Sequence, residues 1–275
     1  MTRYIAAYDT ESAACLEACR GIVAIHRKHA MPGTFFIVGQ TLDDNPKEYR
    51  KLLDDPLFEV ASHTWSHKML RDHPFCGAAA ADAEIREEIF HGKEIVERVF
   101  ERSCLGLRPG CSFDNALRGA RLPLQLIHEA GYKYTSSLAW GPQYSMPALL
   151  TSPFRYADDG YPDLWELPCH GWHDNLLANL NRGWGAQRAL LWPPVMPEAI
   201  PTRPVRTADE AFAVNRIFLE RAAEQELPFV SLIWHPWSLH RFDASLRMLD
   251  LVFSQVRQLG LTPGTYADVY RAIAT

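Results

Sequence analysis

The chain has 275 residues, 47% of them hydrophobic and 22% charged, with a formal net charge of -5; that is enough apolar side chain for a large core, in one barrel-sized domain or two small ones. With no basic field and no Lys/Arg cluster interleaved with aromatics, nucleic acid is excluded as a partner. No run approaches the ~18 apolar residues of a membrane span, and the opening MTRYIAAYDT has no basic stretch leading into a long apolar one, so a soluble, cytoplasmic protein is expected.

In chain order, YIAAY (4–8) reads as a buried strand, and residues 12–30 space Ala14, Leu16, Ile22, Val23 and Ile25 along one face of a helix. GTFFIVG is the next strand, PKEYRKLLDD a short helix and LFEVAS a third strand. ADAEIREEIFHGKEIVERVFE is an amphipathic helix with Ile85, Ile89, Ile95, Val96 and Val99 on its apolar side. CLGLR follows, then a helix over about 116–130 stopped by Gly131, and the strands YKYTSS and LWELP. A helix at 208–226, the strand FVSLIW, a helix at 244–259 and a final helix complete the alternation. Strands alternating with helices argue for an α/β fold with a mainly parallel sheet. WPPVMPEAIPTRP (192–204) holds five prolines and is expected to be an irregular surface excursion; a lid at 192–207 within a single domain spanning 1–275 is the reading adopted.

The six cysteines (Cys15, Cys19, Cys76, Cys104, Cys111 and Cys169) contain no C-x-x-C pair and are too sparse for a disulfide scaffold. They fit a reducing compartment, with Cys15 and Cys19 as small buried hydrophobes rather than metal ligands.

In parallel α/β folds the reacting groups gather where strands end. Here one strand ends in Asp9, Thr10 and Glu11, another in His63 and His67, and the following ones in Arg108 and Pro109, in Trp165 and Glu166, and in His235 and Pro236. Each has a structural alternative. Two histidines four apart share one side of a helical turn, with the spacing of a metal site or of a polar helix face. Asp9 and Glu11 suit a helix start, Arg108 suits an ion pair, and a lone histidine at a strand end is commonly structural. Arrival of all of them at successive strand ends favours one shared site. In CHGWHD, His170 and His173 with Trp172 and Asp174 either line a groove or decorate a loop, the structural reading being slightly preferred. Trp140, Trp184, Trp234 and Trp237 are open between core and pocket, Trp237 being the best pocket candidate because it follows His235 and Pro236.

The motifs SHTWSH, GTFFIVG, GLRPGCSF with AGYKYTSSL, LWELP and IWHPWSL together resemble those of the polysaccharide deacetylases with a NodB homology domain, carbohydrate esterase family 4, from residue 4 to about 270. The resemblance implies a distorted (β/α) barrel of about seven parallel strands. It implies Asp9 as base, His235 as acid, Arg108 orienting Asp9, and Glu11, His63 and His67 holding a divalent metal. It further places Trp165, Trp237, Gly110 and Cys111 against substrate. Zinc suits two imidazoles and a carboxylate; cobalt, nickel, manganese and iron are the alternatives. Many members carry two consecutive aspartates where this chain has Asp9-Thr10, so Glu11 takes the ligand role on the reading that alternate residues of an extended chain point the same way; the alternative is Asp9 as ligand with the base missing. The arginine motif also departs, reading Arg-Pro-Gly.

The implied reaction is hydrolysis of linear amides, removing N-acetyl groups from a carbohydrate. A small amide or cyclic imide, as in allantoinase-like members, is the enzymatic alternative, and a non-catalytic carbohydrate-binding domain the alternative of another class. Homo-oligomerisation stays open.

Overall fold

The computed structural model describes residues 1–180 and 194–274; Trp184 and the first two residues of the proline-rich segment, 192 and 193, lie outside them. The elements are β1 (Arg3–Thr10), α1 (Ala14–His29), β2 (Gly33–Ile37), α2 (Gly39–Asp44), α3 (Pro46–Leu53), β3 (Phe58–Ser62), α4 (Asp82–Phe100), β4 (Gly106–Leu107), α5 (Arg121–Glu129), β5 (Tyr134–Thr135), β6 (Phe154–Tyr156), β7 (Tyr161–Glu166), α6 (Asp174–Leu177), α7 (Ala208–Glu224), β8 (Phe229–Trp234), α8 (Pro236–Phe242), α9 (Arg247–Gln258), β9 (Thr262–Gly264) and α10 (Tyr266–Ala274).

The strands run in the order β6-β7-β5-β4-β3-β2-β1-β8, all parallel except the β6–β7 pair. A parallel bridge between His170 and Leu232, with the His170 N–H donating to Ser231 O at 2.9 Å, brings the segment after β7 onto β8. The sheet therefore closes into a distorted (β/α) barrel with seven principal parallel strands. β9 pairs with the first residues of β1, and β2 takes over that edge from Ala6 onward.

Strand periodicity sorts the core into two parts. Ile5 and Ala7 join Phe36, Ala61, Tyr134, Leu167 and Phe229 in an inner cluster, closed from one end by Tyr266 and Val269 of α10. Tyr4, Ala6 and Tyr8 instead face the helices, in the larger cluster with Ile22, Phe35 and Val96. Asp9 continues the inner series of β1. Thr10 is fully buried and continues the outer one, which is why it cannot stand in for an aspartate facing the barrel mouth.

Several expectations are corrected. The helix expected from 116 starts at Arg121, because residues 114–119 form turns with Ala116 and Gly119 at positive φ. The antiparallel strand β6 and the short α2, α6 and α8 had no periodic signal long enough to reveal them. A three-residue 3-10 turn, Pro197–Ala199, sits inside the proline-rich segment. Cys76 and Cys111 form a disulfide across 35 residues of sequence, contrary to the expectation of six reduced cysteines; the partners meet through tertiary approach of the segments after β3 and β4, which no local spacing announces. Cys15, Cys19, Cys104 and Cys169 are free and buried. Among the described residues no helix is long and apolar enough to cross a membrane.

Candidate active site

The strand ends place six of the sequence-selected residues around one cavity mouth. The two histidines do not share a helical turn. Thr64 and His67 both have positive φ, 62° and 66°, so the segment after β3 is a folded-back turn. Neighbouring elements hold it there. The first two N–H groups of α2, at Gly39 and Gln40, donate to the carbonyls of Thr64 and Trp65 at 2.9 and 2.8 Å. From α4, the buried Glu88 accepts the Ser66 N–H at 2.9 Å as well as the Ser66 hydroxyl. Gly92 of α4 faces the same turn, and a Cβ there would lie 2.8 Å from the Thr64 carbonyl carbon. The result sets the two imidazoles 4.9 Å apart and nearly perpendicular.

His63 Nδ1 donates to the Arg108 carbonyl at 2.8 Å, which leaves Nε2 with its lone pair toward the cavity. His63 Nε2 and His67 Nε2 are both buried and have no hydrogen-bond partner, yet they lie 3.6 and 3.2 Å from the same oxygen, Glu11 Oε1. Trp237 Nε1 donates to the other oxygen of Glu11 at 3.3 Å, steering Oε1 toward the imidazoles. One ligand atom from each of Glu11, His63 and His67 fits within 4.8 Å of the others. Burial works against a charged Glu11, but His235, His63 and His67 outweigh it and hold the carboxyl well below its ordinary range. A buried set of one carboxylate oxygen and two unpartnered imidazole nitrogens, with one ring oriented from behind, is a donor set that fits a divalent cation.

Asp9 stands beside this group and is engaged differently. Arg108 Nη1 donates to Asp9 Oδ1 at 2.5 Å, both side chains being buried, while Asp9 Oδ2 lies 3.9 Å from His63 Nε2. Arg108 Nη2 donates to Ser136 Oγ at 3.0 Å and to Tyr266 Oη at 3.1 Å, and the guanidinium stacks 4.0 Å over Phe36. Burial raises the Asp9 pKa, but Arg108, His63 and His235 together bring it below its usual value, so the carboxylate stays ionised.

Across the cavity His235 follows β8. Its Nδ1 binds Asp174 Oδ1 at 2.6 Å and its backbone N–H donates to the same oxygen at 3.2 Å. Its Nε2 faces Glu11 Oε1 at 3.8 Å. Burial disfavours a charged imidazole here, yet Asp174, Glu11 and Asp9 raise the pKa to about 10. Asp174 joins the candidate site through this contact with His235, a pairing that the sequence does not announce; the one signal for it is its place in the segment that crosses to β8.

The remaining candidates divide. Cys111 and Trp237 line the cavity, which has a volume of about 160 Å³. Gly110 backs it, since a Cβ there would lie 3.0 Å from the His67 ring. Trp165 does not reach it: that side chain packs on the inner cluster beside Tyr270 and Ile273 and stacks against Arg155 at 4.5 Å, because alternation along β7 turns it into the barrel far below the mouth. His173 lines the cavity, donating from Nε2 to Ala139 O at 3.0 Å. His170 is structural, bound to Thr151 O through Nε2 and to the Ser231 N–H through Nδ1. Trp140 and Trp234 are core residues.

Comparison with known proteins adds family and fold. The family model described as polysaccharide deacetylase matches residues 8–135. No curated protein matches the sequence. Among solved structures, a Mycobacterium smegmatis protein assigned to the polysaccharide deacetylases superposes with a TM-score of 0.67 at 18% identity, over 99% of this chain and 90% of that one. Puue allantoinase superposes with 0.65 at 13%, over 98% and 88%. A wild-type CE4 family pseudoenzyme from Bacillus anthracis superposes with 0.53 at 14%, over 98% and 66%. At such identities these likenesses establish the shared fold.

Proposed function

We propose that the protein is a metal-dependent hydrolase of linear amides that removes N-acetyl groups from a carbohydrate, a reading supported by the match of residues 8–135 to the polysaccharide deacetylase family. The observation that carries the reading is the meeting of Glu11 Oε1, His63 Nε2 and His67 Nε2 within 4.8 Å, opposite a histidine held by its own carboxylate. Those three residues would hold the cation, zinc first by the donor types, with cobalt, nickel, manganese or iron as alternatives. Such a cation supplies Lewis acidity, which brings the pKa of water from 15.7 toward about 7.

The chain's own groups do the rest. Asp9 Oδ2, with Oδ1 already committed to Arg108, accepts the proton of the attacking water. Arg108 fixes the direction of that carboxylate and keeps it charged through a charge-assisted bond. The Ser112 N–H is spent on Gly110 O at 2.7 Å, so the oxyanion's backbone donor is the N–H of Cys111, which has no acceptor among the described residues. His235 enters protonated, oriented by Asp174, and delivers its Nε2 proton to the leaving amine. An acid or base so placed contributes about 10²- to 10⁴-fold.

The test is acetate release from N-acetylated glucosamine oligomers by protein loaded with a divalent ion, run beside ring-opening of a cyclic ureide. Acetate release abolished by chelation and restored by the ion supports the reading. Ring-opening without acetate moves the assignment to small amides, and stoichiometric ion without turnover on either substrate moves it to a binding domain.

A further inference from the structure

Asn175 follows the carboxylate that holds His235, in a short helical turn on the wall of the cavity that Glu11 and His67 also line. The residue is 6% exposed. Around it Asp174 Oδ1 is committed to His235, His173 Nε2 to Ala139 O and Trp237 Nε1 to Glu11, while Asp174 Oδ2 is buried without a partner. Among the described residues the Asn175 amide has no hydrogen-bond partner. Its Oδ1 is shut off without a partner, and its Nδ2 makes no hydrogen bond either, while the backbone carbonyl of Asn175 is held by the Leu180 N–H at 2.9 Å. Nδ2 is absent from the sealed, unpartnered atoms and so keeps access to the cavity that Asn175 lines. Nδ2 is therefore a donor without an acceptor in the cavity wall, open to an acceptor that enters the cavity.

On the hydrolase reading the group that enters this cavity, of about 160 Å³, is the acylamino group of the substrate. The oxygen that enters on an acylamino group is the acyl oxygen, and that oxygen gains negative charge as water adds to the carbonyl.

We propose that Asn175 is a catalytic residue whose Nδ2 donates a hydrogen bond to the acyl oxygen, in the cavity that Cys111 and His235 also line. This rests on the hydrolase reading above and extends it to a side-chain donor. No bond changes at Asn175: the C–N bond breaks as the proton from His235 reaches the nitrogen, and Asn175 stabilises the charge gathered on oxygen between those events. Because the donor bonds most strongly to the charged oxygen, its loss falls on kcat rather than on KM.

The experiment compares ion-loaded Asn175→Ala and Asn175→Asp with the unmodified protein on N-acetylglucosamine oligomers, together with bound metal and thermal midpoint. Loss of an oxyanion donor costs about 10²- to 10³-fold in kcat, so both variants are expected to lose that much with KM within about threefold and with metal content and midpoint unchanged. A kcat within threefold of the unmodified protein in either variant, or a loss confined to KM, overturns the role of Asn175 alone. Absence of acetate release by the unmodified protein overturns the hydrolase reading and this role with it.

Discussion

The ends of β1 and β7 look alike in sequence, each closing an apolar run with acidic residues, and the structure uses them in opposite ways. Asp9 lies on the inner series of its strand, gives one oxygen to Arg108 and leaves the other toward the cavity. Glu166 lies on the outer series, between the inward-packing Trp165 and Leu167. It accepts from Thr135 Oγ1, Ser137 Oγ, Tyr156 Oη and the N–H groups of Ser137 and Leu138, all at 2.6 to 2.8 Å. Burial raises its pKa against those bonds. A carboxylate at a strand end thus opens onto the cavity or is consumed in the wall according to which of two alternating faces it occupies, and the number of bonds it accepts shows which.

The comparison is broken most severely at Asp9. Asp9→Asn is expected to lower kcat by about 10²- to 10⁴-fold, read as acetate release per folded, metal-loaded molecule; a loss under threefold contradicts the assignment of the base. Glu166→Gln is expected to do the reverse. It destabilises the fold by about 1–3 kcal/mol through mismatched donors, measured by denaturant unfolding, while kcat stays within about threefold. A kcat loss as large as that of Asp9→Asn would erase the distinction between the two strand ends.

Histidines sharpen the same contrast. His26 donates from Nδ1 to Met31 O and accepts the Tyr8 hydroxyl, both at 2.6 Å, so it is bonded as the neutral form; His170 is likewise fixed between Thr151 O and the Ser231 N–H. Burial brings each pKa to about 4 from 6.5, against a backbone bond that raises it. Above 6.5 both folded and unfolded forms are neutral and the full stability is present. As pH falls from 6.5 toward 4 the unfolded chain takes up the proton first, and stability is lost at up to roughly 1.4 kcal/mol per pH unit for each. In His170→Gln the pH slope of unfolding free energy across that window is expected to be shallower by about that amount; an unchanged slope shows that His170 is charged in the fold. A smaller, more local effect is expected from Gly92→Ala, whose new methyl pushes on Thr64 and costs about 1–3 kcal/mol of overpacking, with bound metal falling because the histidine turn moves. Unaltered metal affinity would show that the turn is held without α4.

Much of the barrel was legible because its long elements are periodic: β1, β8, α1, α4 and α7 announce themselves by burial pattern. The candidate site residues could be picked out at strand ends for the same reason, and the fold brings six of them together. What stayed hidden lies in irregular backbone. His63 and His67 suggested a helical turn by their spacing, and only contacts from α2 and α4 make the positive φ values visible. Asp174 pairs with His235 across 61 residues, and Cys76 with Cys111 across 35; neither leaves a local pattern. Trp165 sits at a strand's end by sequence but on the strand's inward face in the fold, among Tyr270 and Ile273, and so does not reach the cavity.

The most direct test of the central claim is metal content after dialysis against a limiting divalent ion, compared across His63→Ala, His67→Ala, Glu11→Ala and Asp9→Asn. The account predicts one ion per chain in the unmodified protein and in Asp9→Asn, and loss of most of it in the other three. Full occupancy in His63→Ala and His67→Ala, or loss of the ion in Asp9→Asn alone, would contradict it.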